Sequence, residues 1–498
     1  MKNTDIFDGV TGIRDDQIEA AKRVNLRRRR RSAWLGAIAA VLAVALVGGY
    51  FLWPGGPAVL EGFAIAEAEY PEMAQYPNDM IGKDGIPRSD GFDEAYDAWR
   101  ADLLERISLP SHAAELAPFA ARSAEQLLSG AGSENRAYSP LNVYMALAML
   151  AEITEGESRA QILALLGAES MDSLRAQANE VWNSAYLDEG TAKSVLASSL
   201  WLSEGVEFNE APLETLASNY YASSYRGEMG SGELNAALQS WLSEQTGGLL
   251  EGMAPDVGTD ANTLMTILTT AYLSAKWADE FLPSNTAAGV FHGVSGDAET
   301  QFMHRTESYG VYYWSEDFGA ASLGLVSGGR MWFILPDEDV SADALLTSGE
   351  YMRLVTDPDG WVDQTDIRVN YSVPKFDVSS SFDLGEGLKA LGVTEVFDGA
   401  AADFTPLTDM DGVFVSSARH GARVAIDEEG VTAAAFTELA LAGDPPPPED
   451  EVDFTLDRPF IFVVTTAGNA PLFAGVVNSL EFTSESPGAQ CAGATYLI

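Results

Sequence analysis

Residues 427–444, "DEEGVTAAAFTELALAGD", are followed directly by four prolines and the acidic run "EDEVD". By propensity alone the alanine-rich part is compatible with a helix, because Ala, Leu and Glu favour that state. The surrounding C-terminal third, however, is rich in β-branched and aromatic runs such as "GARVAID" and "PFIFVVTTAG", which predict strands. An alanine run that ends against four prolines in this context calls for another interpretation.

Read as a strand, the alanine run alternates between two faces with a period of two. One face carries only small or β-branched residues, which suits a slot between packed strands, and the other face carries the single bulky residue, Phe436. Small side chains avoid an overpacking penalty of roughly 1–3 kcal/mol, and Gly430 provides a flexible start. The two sets are Val431, Ala433, Ala435 and Thr437, and Thr432, Ala434, Phe436 and Glu438. A helix explains the alanines but not this alternation.

Composition excludes several classes of protein. The 498 residues allow one large domain or two to three ordinary ones, and hydrophobic residues make up 46% of the chain. The formal net charge of −45 repels phosphate backbones, so the sequence predicts no nucleic-acid partner.

Catalytic and metal-binding motifs are missing from the sequence. It has no G-x-S-x-G, H-E-x-x-H, Walker or Rossmann pattern, and its one cysteine, Cys491, and four histidines show no zinc-site spacing. We therefore predict a protein that is not an enzyme and has no cofactor and no metal site. Cys491 is interpreted as a free thiol in a Gly/Ala-rich tail.

The N-terminal region carries a membrane signal. Residues 34–53 contain no charge and are long enough to cross a bilayer, and they follow a basic cluster that includes residues 27–31. This asymmetry predicts a cytoplasmic segment over residues 1–33, a single-pass anchor over 34–53, and an extracellular remainder. Secretion after signal cleavage is the alternative.

Residues 54–113 are predicted to be an extracellular stalk or linker because Pro/Gly-rich stretches punctuate them. Within the stalk, "FDEAYDAWRADLLERI" at residues 92–107 has near-helical apolar spacing. This patch is expected to form a helix that packs on the stalk or on the next domain.

Beyond residue 114, helix-like segments come first and strand-like segments dominate later, which indicates an α+β domain. This part resembles the serpin family in seven blocks that occur in serpin order. The blocks are "NRAYSPLNVYMALAML" (135–150), "GESRAQILALLG" (156–167), "LQSWLSEQTGGLLEGM" (238–253), "LTTAYLSAKWADEF" (268–281), "VPKFDV" (373–378), "LKALGVTEVFDGAAADFTPL" (388–407) and "PLFAGVVNSL" (471–480). The resemblance implies a serpin domain over 114–481, with about three β-sheets and eight or nine helices, followed by a tail over 482–498.

The resemblance also implies a role for the alanine run. In a serpin it is the hinge of an exposed reactive-centre loop. After a protease cleaves the loop and forms an acyl-enzyme, the hinge inserts into the central sheet and the protease is distorted before deacylation. The hinge residues so assigned are Glu428, Glu429, Gly430, Val431, Thr432, Ala433, Ala434, Ala435, Phe436 and Thr437.

The chain departs from the usual serpin pattern at two places. Val431 stands where inhibitory members usually carry Thr or Ser, although an uncharged β-branched residue should still insert. In the buried polar cluster beneath the opening of the sheet, Asn142 replaces the usual second serine and Thr269 the usual asparagine, while Ser139 and His420 match. These four residues can still form a network in which every buried polar group has a hydrogen-bond partner. His420 is interpreted as a structural residue. Trp277 matches the tryptophan that serpins usually carry near the top of the sheet.

The position of the scissile bond is left open by the sequence. Counting seventeen residues from Glu428 ends on Asp444, which is followed by Pro445, and proline after the cleaved bond suits few serine proteases. The loop is about four residues longer than usual, so cleavage at Leu441, Ala442 or Gly443 by an elastase-like or subtilisin-like enzyme is preferred.

The sequence therefore predicts a membrane-anchored suicide inhibitor of extracellular serine proteases, assumed to be a monomer, at a bacterial cell surface. The alternative is a non-inhibitory serpin that acts as a cell-surface binding or scaffold protein. A secreted enzyme of another kind is disfavoured by the missing motifs.

Overall fold

A computed structural model of the chain describes residues 60, 62–81, 87, 91–249, 257–326, 328–429, 448–480 and 492–497. Two compact units, residues 1–62 and 63–498, are distinguished, and the architecture below is that of the second. The predicted cytoplasmic segment (1–33), the predicted membrane anchor (34–53), Cys491 and the predicted loop from Gly430 to Pro445 lie outside the described residues. Within the described ranges, no helix is both long and apolar enough to cross a membrane.

The described residues contain ten α-helices. The first of them, α1, precedes the predicted domain, α2 begins one residue before its predicted start at residue 114, and the other eight lie within it. They are α1 (Phe92–Ile107), α2 (Ala113–Leu128), α3 (Pro140–Glu152), α4 (Gly156–Leu166), α5 (Met171–Ala185), α6 (Glu210–Asn219), α7 (Gly232–Gln245), α8 (Ala342–Ser348), α9 (Glu350–Thr356) and α10 (Gly385–Ala390).

Seventeen strands form two sheets in the same part of the chain. The strands are β1 (Ala64–Ala66), β2 (Arg136–Tyr138), β3 (Leu187–Asp188), β4 (Lys193–Ser203), β5 (Ala222–Gly227), β6 (Met265–Ser274), β7 (Ala287–Gly293), β8 (Gly296–Trp314), β9 (Phe318–Gly324), β10 (Arg330–Pro336), β11 (Gln364–Pro374), β12 (Phe376–Asp383), β13 (Arg419–Ile426), β14 (Glu451–Thr455), β15 (Phe460–Thr465), β16 (Pro471–Val477) and β17 (Ala492–Leu497). The central sheet has eight strands in the order β1-β5-β4-β6-β17-β13-β12, with β3 paired to β4. The second sheet has nine strands in the order β14-β11-β8-β9-β10-β15-β16-β2, with β7 paired to β8.

The predicted α+β class is confirmed, but the described strands form two sheets where about three were expected. The reason is the length of β8, which spans 19 residues. Along this length β8 pairs with β7 and β11, and at its end Tyr313 and Trp314 pair with Ala320 and Gly319 of β9. The two smaller groups of strands are thereby hydrogen-bonded into one continuous sheet.

Helix α3 forms the centre of the core because it packs against β6 of the central sheet and β16 of the second sheet. Its sequence fits this position, since every residue from Pro140 to Ala151 is buried. The helix begins at a favourable N-cap, where the Oγ of Ser139 accepts a hydrogen bond from the backbone N–H of Asn142, with Pro140 in the first turn. This start fixes Ser139 and Asn142 under the central sheet.

The segment predicted as a stalk packs on the domain in its described part. Strand β1 pairs antiparallel with β5 at the edge of the central sheet. The ring of Tyr70 contacts the rings of Trp182 and Tyr186, and Trp99 of α1 is buried and donates a hydrogen bond to the buried carboxylate of Glu189. These aromatic residues pack on the domain because they gain more from burial than from exposure to water. The helix predicted over residues 92–107 coincides with α1.

Candidate functional site

The chain leaves the central sheet at the end of β13, where the predicted hinge begins. The indole N–H of Trp277 donates to the carbonyl oxygen of Asp427 over 2.8 Å, and the backbone N–H of Phe281 donates to the carbonyl of Glu428 over 3.0 Å. Trp277 is only 1% exposed. These two bonds fix the direction in which the backbone leaves the sheet.

The side chain of Glu428 is held in a polar socket at the same place. Its Oε2 lies 2.6 Å from the Nζ of Lys375, which links β11 to β12, and its Oε1 accepts a 2.7 Å hydrogen bond from the hydroxyl of Thr286. Burial raises the pKa of Glu428, but the bonds from Lys375 and Thr286 outweigh it and leave the pKa below its usual value. Glu428 is thus a charged anchor at the start of the hinge.

The pKa of the neighbouring Asp427 is shifted in the opposite direction. Burial is the main reason that its pKa rises to about 6, and the charge of Glu428 adds to this effect. Its Oδ1 accepts a 2.9 Å hydrogen bond from the backbone N–H of Glu429. Two adjacent carboxylates with pKa values shifted apart therefore begin the segment.

Strand β17 lies between β6 and β13 and is antiparallel to both. Leu497 stands opposite Thr269 of β6 and His420 of β13, and Ala492 stands opposite Ser274 and Ala425. Strands β6 and β13 consequently run parallel to each other with one strand between them. We call the space between these two strands the central gap.

The predicted polar cluster lies beneath the central gap. The backbone N–H of Ser139 donates to the Nε2 of His420 over 3.2 Å, and the side-chain amide of Asn142 donates to the carbonyl oxygen of Thr269 over 3.3 Å. The hydroxyl of Ser139 donates to the carbonyl of Leu472. The four residues named from the sequence are therefore brought together, while Trp277 lies beyond the C-terminal end of β6.

The side-chain hydroxyl of Thr269 does not contribute a hydrogen bond to the cluster among the described residues. The Oγ1 atoms of Thr269 and the adjacent Thr270 are buried and have no hydrogen-bond partner among the described residues. A buried hydroxyl without a partner costs about 1–3 kcal/mol. The exchanged positions thus give a cluster that is only partly satisfied in the described part of the chain.

His420 is completely buried, and burial lowers its pKa to about 3. The imidazole is therefore neutral at physiological pH. Because Nε2 accepts a hydrogen bond from Ser139, the proton of the neutral ring belongs on Nδ1. A neutral, buried ring suits the structural role predicted from the sequence.

Of the predicted hinge, only Glu428 and the exposed Glu429 are described. The residues from Gly430 to Thr437 and the scissile-bond candidates from Leu441 to Pro445 lie outside the described residues, so their roles remain predictions. Sequence reasoning missed Lys375 and Thr286, which hold Glu428, and it also missed β17. The six residues "AGATYL" of β17 carried a usable signal, because small residues followed by an aromatic one repeat the pattern of the hinge.

No group of three or more His, Cys, Asp or Glu side chains that could hold a metal ion is found in the described ranges.

Comparisons with known proteins agree on one family. The family model described as "Serpin (serine protease inhibitor)" matches residues 114–480. Serpin-ZX of Arabidopsis thaliana is 29% identical over 359 residues, which cover 67% of this chain and 88% of that protein. Serpin-Z2B of Oryza sativa subsp. japonica is 26% identical and covers 73% of this chain and 96% of that protein.

Solved structures show the same fold. The thermophilic serpin tengpin in its native state has a TM-score of 0.64 at 24% identity and covers 74% of this chain and 93% of its own. The Arabidopsis protein AtSerpin1 in its native stressed conformation has a TM-score of 0.61 at 26% identity and covers 76% of this chain and 98% of its own.

Proposed function

The chain belongs to the serpin family, and from this premise we propose that it is a suicide-substrate inhibitor of extracellular serine proteases. Serpins are in general protease inhibitors rather than enzymes, so family membership supports a protein without catalytic activity of its own. The elastase-like or subtilisin-like class of target and the extracellular setting belong to the proposal.

One observation carries the proposal. The central sheet accommodates a strand between β6 and β13 that is antiparallel to β13. A segment that leaves β13 at Asp427 and turns back must enter the sheet in this direction. The structure thus has a strand position of the required place and direction beside the predicted hinge.

The proposed reaction begins with an ordinary proteolytic step. The serine of the protease attacks the scissile carbonyl, the peptide bond breaks, and the new amine leaves while an ester joins the protease to the N-terminal part of the loop. The hinge then enters the central gap and draws the ester-linked protease with it. Water no longer reaches a correctly arranged active site, and the ester persists.

The predicted residues have separate parts in this process. Glu428 and Trp277 fix the point from which the hinge turns, and the small face from Val431 to Thr437 suits a slot between packed strands. A cut at Leu441, Ala442 or Gly443 suits the proposed target class better than the bond between Asp444 and Pro445, because proline lacks an N–H group.

The localisation is a proposal that rests on the sequence. The uncharged residues 34–53 and the preceding basic cluster support a single-pass anchor with a cytoplasmic N-terminus and an extracellular serpin domain, with secretion after cleavage as the alternative. Serpin-ZX and Serpin-Z2B, the relatives matched by sequence above, are plant proteins and give no support to a bacterial source.

A second candidate function is a non-inhibitory serpin that acts as a cell-surface binding or scaffold protein. Strand β17 favours it, because this strand already lies in the position that an inserted hinge would need. A loop that cannot insert is cleaved as a plain substrate.

The deciding experiment incubates the full-length chain with an elastase-like and a subtilisin-like protease. We expect an adduct on a denaturing gel with the summed mass of the protease and the N-terminal fragment, and mass spectrometry of the released C-terminal fragment identifies the scissile bond. Complete cleavage without an adduct by every protease tested, together with an unchanged melting temperature of the cleaved chain, would favour the non-inhibitory candidate.

A further inference from the structure

The C-terminal segment of this serpin is an interior strand of its central sheet. All six residues of β17 are paired with β13 on one side, and all six are paired with β6 on the other. An interior strand with ladders on both sides is held more firmly than an edge strand, which has a ladder on one side only. This placement ties residues 492–497 to the two strands that border the central gap.

The hinge and β17 need the same hydrogen-bonding groups. Besides β17, strand β6 pairs with β4, and β13 pairs with β12. In the described part of the chain, therefore, the facing edges of β6 and β13 are used only by β17. Each N–H and C=O of these edges serves one ladder at a time. A hinge that turns back from Asp427 would enter between the same edges and in the same direction as β17.

The two competing segments also resemble each other in sequence. Residues 432–437 read "TAAAFT" and residues 492–497 read "AGATYL". In each segment four small residues precede an aromatic residue, which stands fifth. Successive side chains of a strand point to opposite faces. In both segments, a strand would therefore place the aromatic residue on the same face as the first and third residues. The sequence of the tail therefore repeats the order of small and aromatic residues found in the predicted hinge.

The central gap extends beyond the end of β17. Leu497 is opposite Thr269, whereas β6 continues back to Met265. A cavity of about 630 Å³ lies next to this free stretch, and its lining includes Val143, Leu147, Ile267 and Val415. A strand longer than the six residues of β17 would find further room and further backbone partners there.

We propose that β17 is a competing strand that reserves the central gap in the intact chain and that the hinge must displace. The inference deepens the proposed function and rests on hinge insertion being the trapping step. The chain is anchored at Glu428 before the loop and in β14 after it, and cleavage between these points would free one end. Cleavage at Leu441 would leave a longer segment than the six residues of β17, from Val431 to Leu441, which would be able to extend into the part of the gap that β17 leaves open.

The test uses the full-length chain and one position in the tail. Proline lacks an N–H and is excluded from interior strands, so Ala494→Pro should release β17, whereas Ala494→Ser keeps the N–H and serves as the matched control. We expect hydrogen exchange to be at least ~10-fold faster in the proline variant for those backbone amides of residues 269–274 and 420–425 that point toward β17. The serine variant should exchange like the unaltered chain.

A synthetic peptide of residues 430–438, "GVTAAAFTE", probes the vacated gap directly. We expect it to raise the melting temperature of Ala494→Pro by several degrees, because a ligand that binds only the folded state stabilises it. The unaltered chain and Ala494→Ser should show no shift, and a peptide with Ala434→Pro should be inactive on all three. If Ala494→Pro fails to fold, a chain ending at residue 480 replaces it, and added peptide 485–498 should restore slow exchange.

Equal exchange in all variants, or binding of the hinge peptide to the unaltered chain as tightly as to the released one, would overturn the inference. These measurements contain no protease. If the tail competes as described but no protease forms an adduct, the proposed inhibitory function fails while the competition stands.

Discussion

The Nζ of Lys375 lies 2.6 Å from the Oε2 of Glu428, which joins the link between β11 and β12 to the first residue of the hinge. The carboxylate side is 12% exposed, whereas the lysine side is 35% exposed. Removing the lysine would therefore leave a largely buried charge whose remaining side-chain partner among the described residues is Thr286. A buried charge without its partner destabilises the folded state.

We expect Lys375→Ala to lower the free energy of unfolding by about 1–2 kcal/mol, a value discounted for the exposure of the lysine. Urea unfolding at pH 7 measures this loss. The low pKa of Glu428 makes the ion pair stabilising above the ordinary glutamate pKa of about 4.3. The loss should therefore shrink as the pH falls and Glu428 is protonated.

Lys193→Ala is the matched control, because Lys193 and its partner Asp188 are 49% and 42% exposed. An exposed pair contributes about 0–1 kcal/mol. Equal losses for the two lysines would show that Glu428 is not held as the geometry indicates.

His420 makes stability depend on pH. Its pKa is about 3 in the folded chain, against about 6.5 for an unfolded histidine. The unfolded state therefore binds a proton first as the pH falls, so this residue lowers stability from about pH 6.5 downward and has no effect above it. We expect His420→Gln to flatten the stability curve between about pH 6 and 4 by up to ~1.4 kcal/mol per pH unit, as measured by urea unfolding across this range.

His292→Gln provides a control of opposite sign. A hydrogen bond that the ring donates to the carboxylate of Asp297 raises the pKa of this exposed histidine, so its contribution is present at low pH and fades as the pH rises. If both variants changed the pH dependence in the same direction, the assignment of a neutral buried His420 would be wrong.

Val431 tests the insertion step. We expect Val431→Arg to be cleaved at an unchanged rate but to form no adduct, because a charged side chain cannot be buried in the central gap without a large cost. Val431→Thr keeps the β-branched shape and should retain the adduct. The ratio of adduct to cleaved chain on a denaturing gel is the measurement, and an undiminished ratio for the arginine variant would remove hinge insertion from the mechanism.

Trp99 tests whether the N-terminal segment belongs to the folded domain. This residue is 5% exposed, and it donates a hydrogen bond to Glu189, which is 1% exposed. We expect Trp99→Ala to cost about 3 kcal/mol through the lost burial and to make residues 63–107 sensitive to limited proteolysis.

Leu104→Ala lies in the same helix, and Leu104 is 52% exposed. The substitution should lower the free energy of unfolding by no more than about 0.5 kcal/mol. Similar stability and similar protease resistance for both variants would show that Trp99 does not tie this segment to the folded domain.

Local sequence signals predicted much of this fold. The apolar spacing of residues 92–107 gave α1 with its bounds, because such a pattern depends only on neighbours three and four positions away. The ordered family blocks predicted the α+β domain, and the structure places Ser139, Asn142, Thr269 and His420 next to one another. The hinge alternation stays a prediction, since those residues lie outside the described part.

Long-range pairing explains what the sequence did not reveal. Glu428 and Lys375 are far apart in the chain, and the residues next to each of them in the sequence do not indicate that the two form an ion pair. Residues 492–497 also look like an unstructured Gly/Ala-rich tail when only their sequence neighbours are considered. They form a strand because the edges of β6 and β13 offer backbone partners on both sides. The union of two smaller sheets through the end of β8 likewise depends on contacts between distant residues.

Strand β1 has a consequence for the behaviour of many copies of this chain. It covers the β5 edge of the central sheet through residues Tyr225 and Ser224. An open sheet edge is a template on which a second molecule can add a strand and begin aggregation. By occupying part of this edge with its own N-terminal residues, the chain limits self-association in a crowded solution, independently of any encounter with a protease.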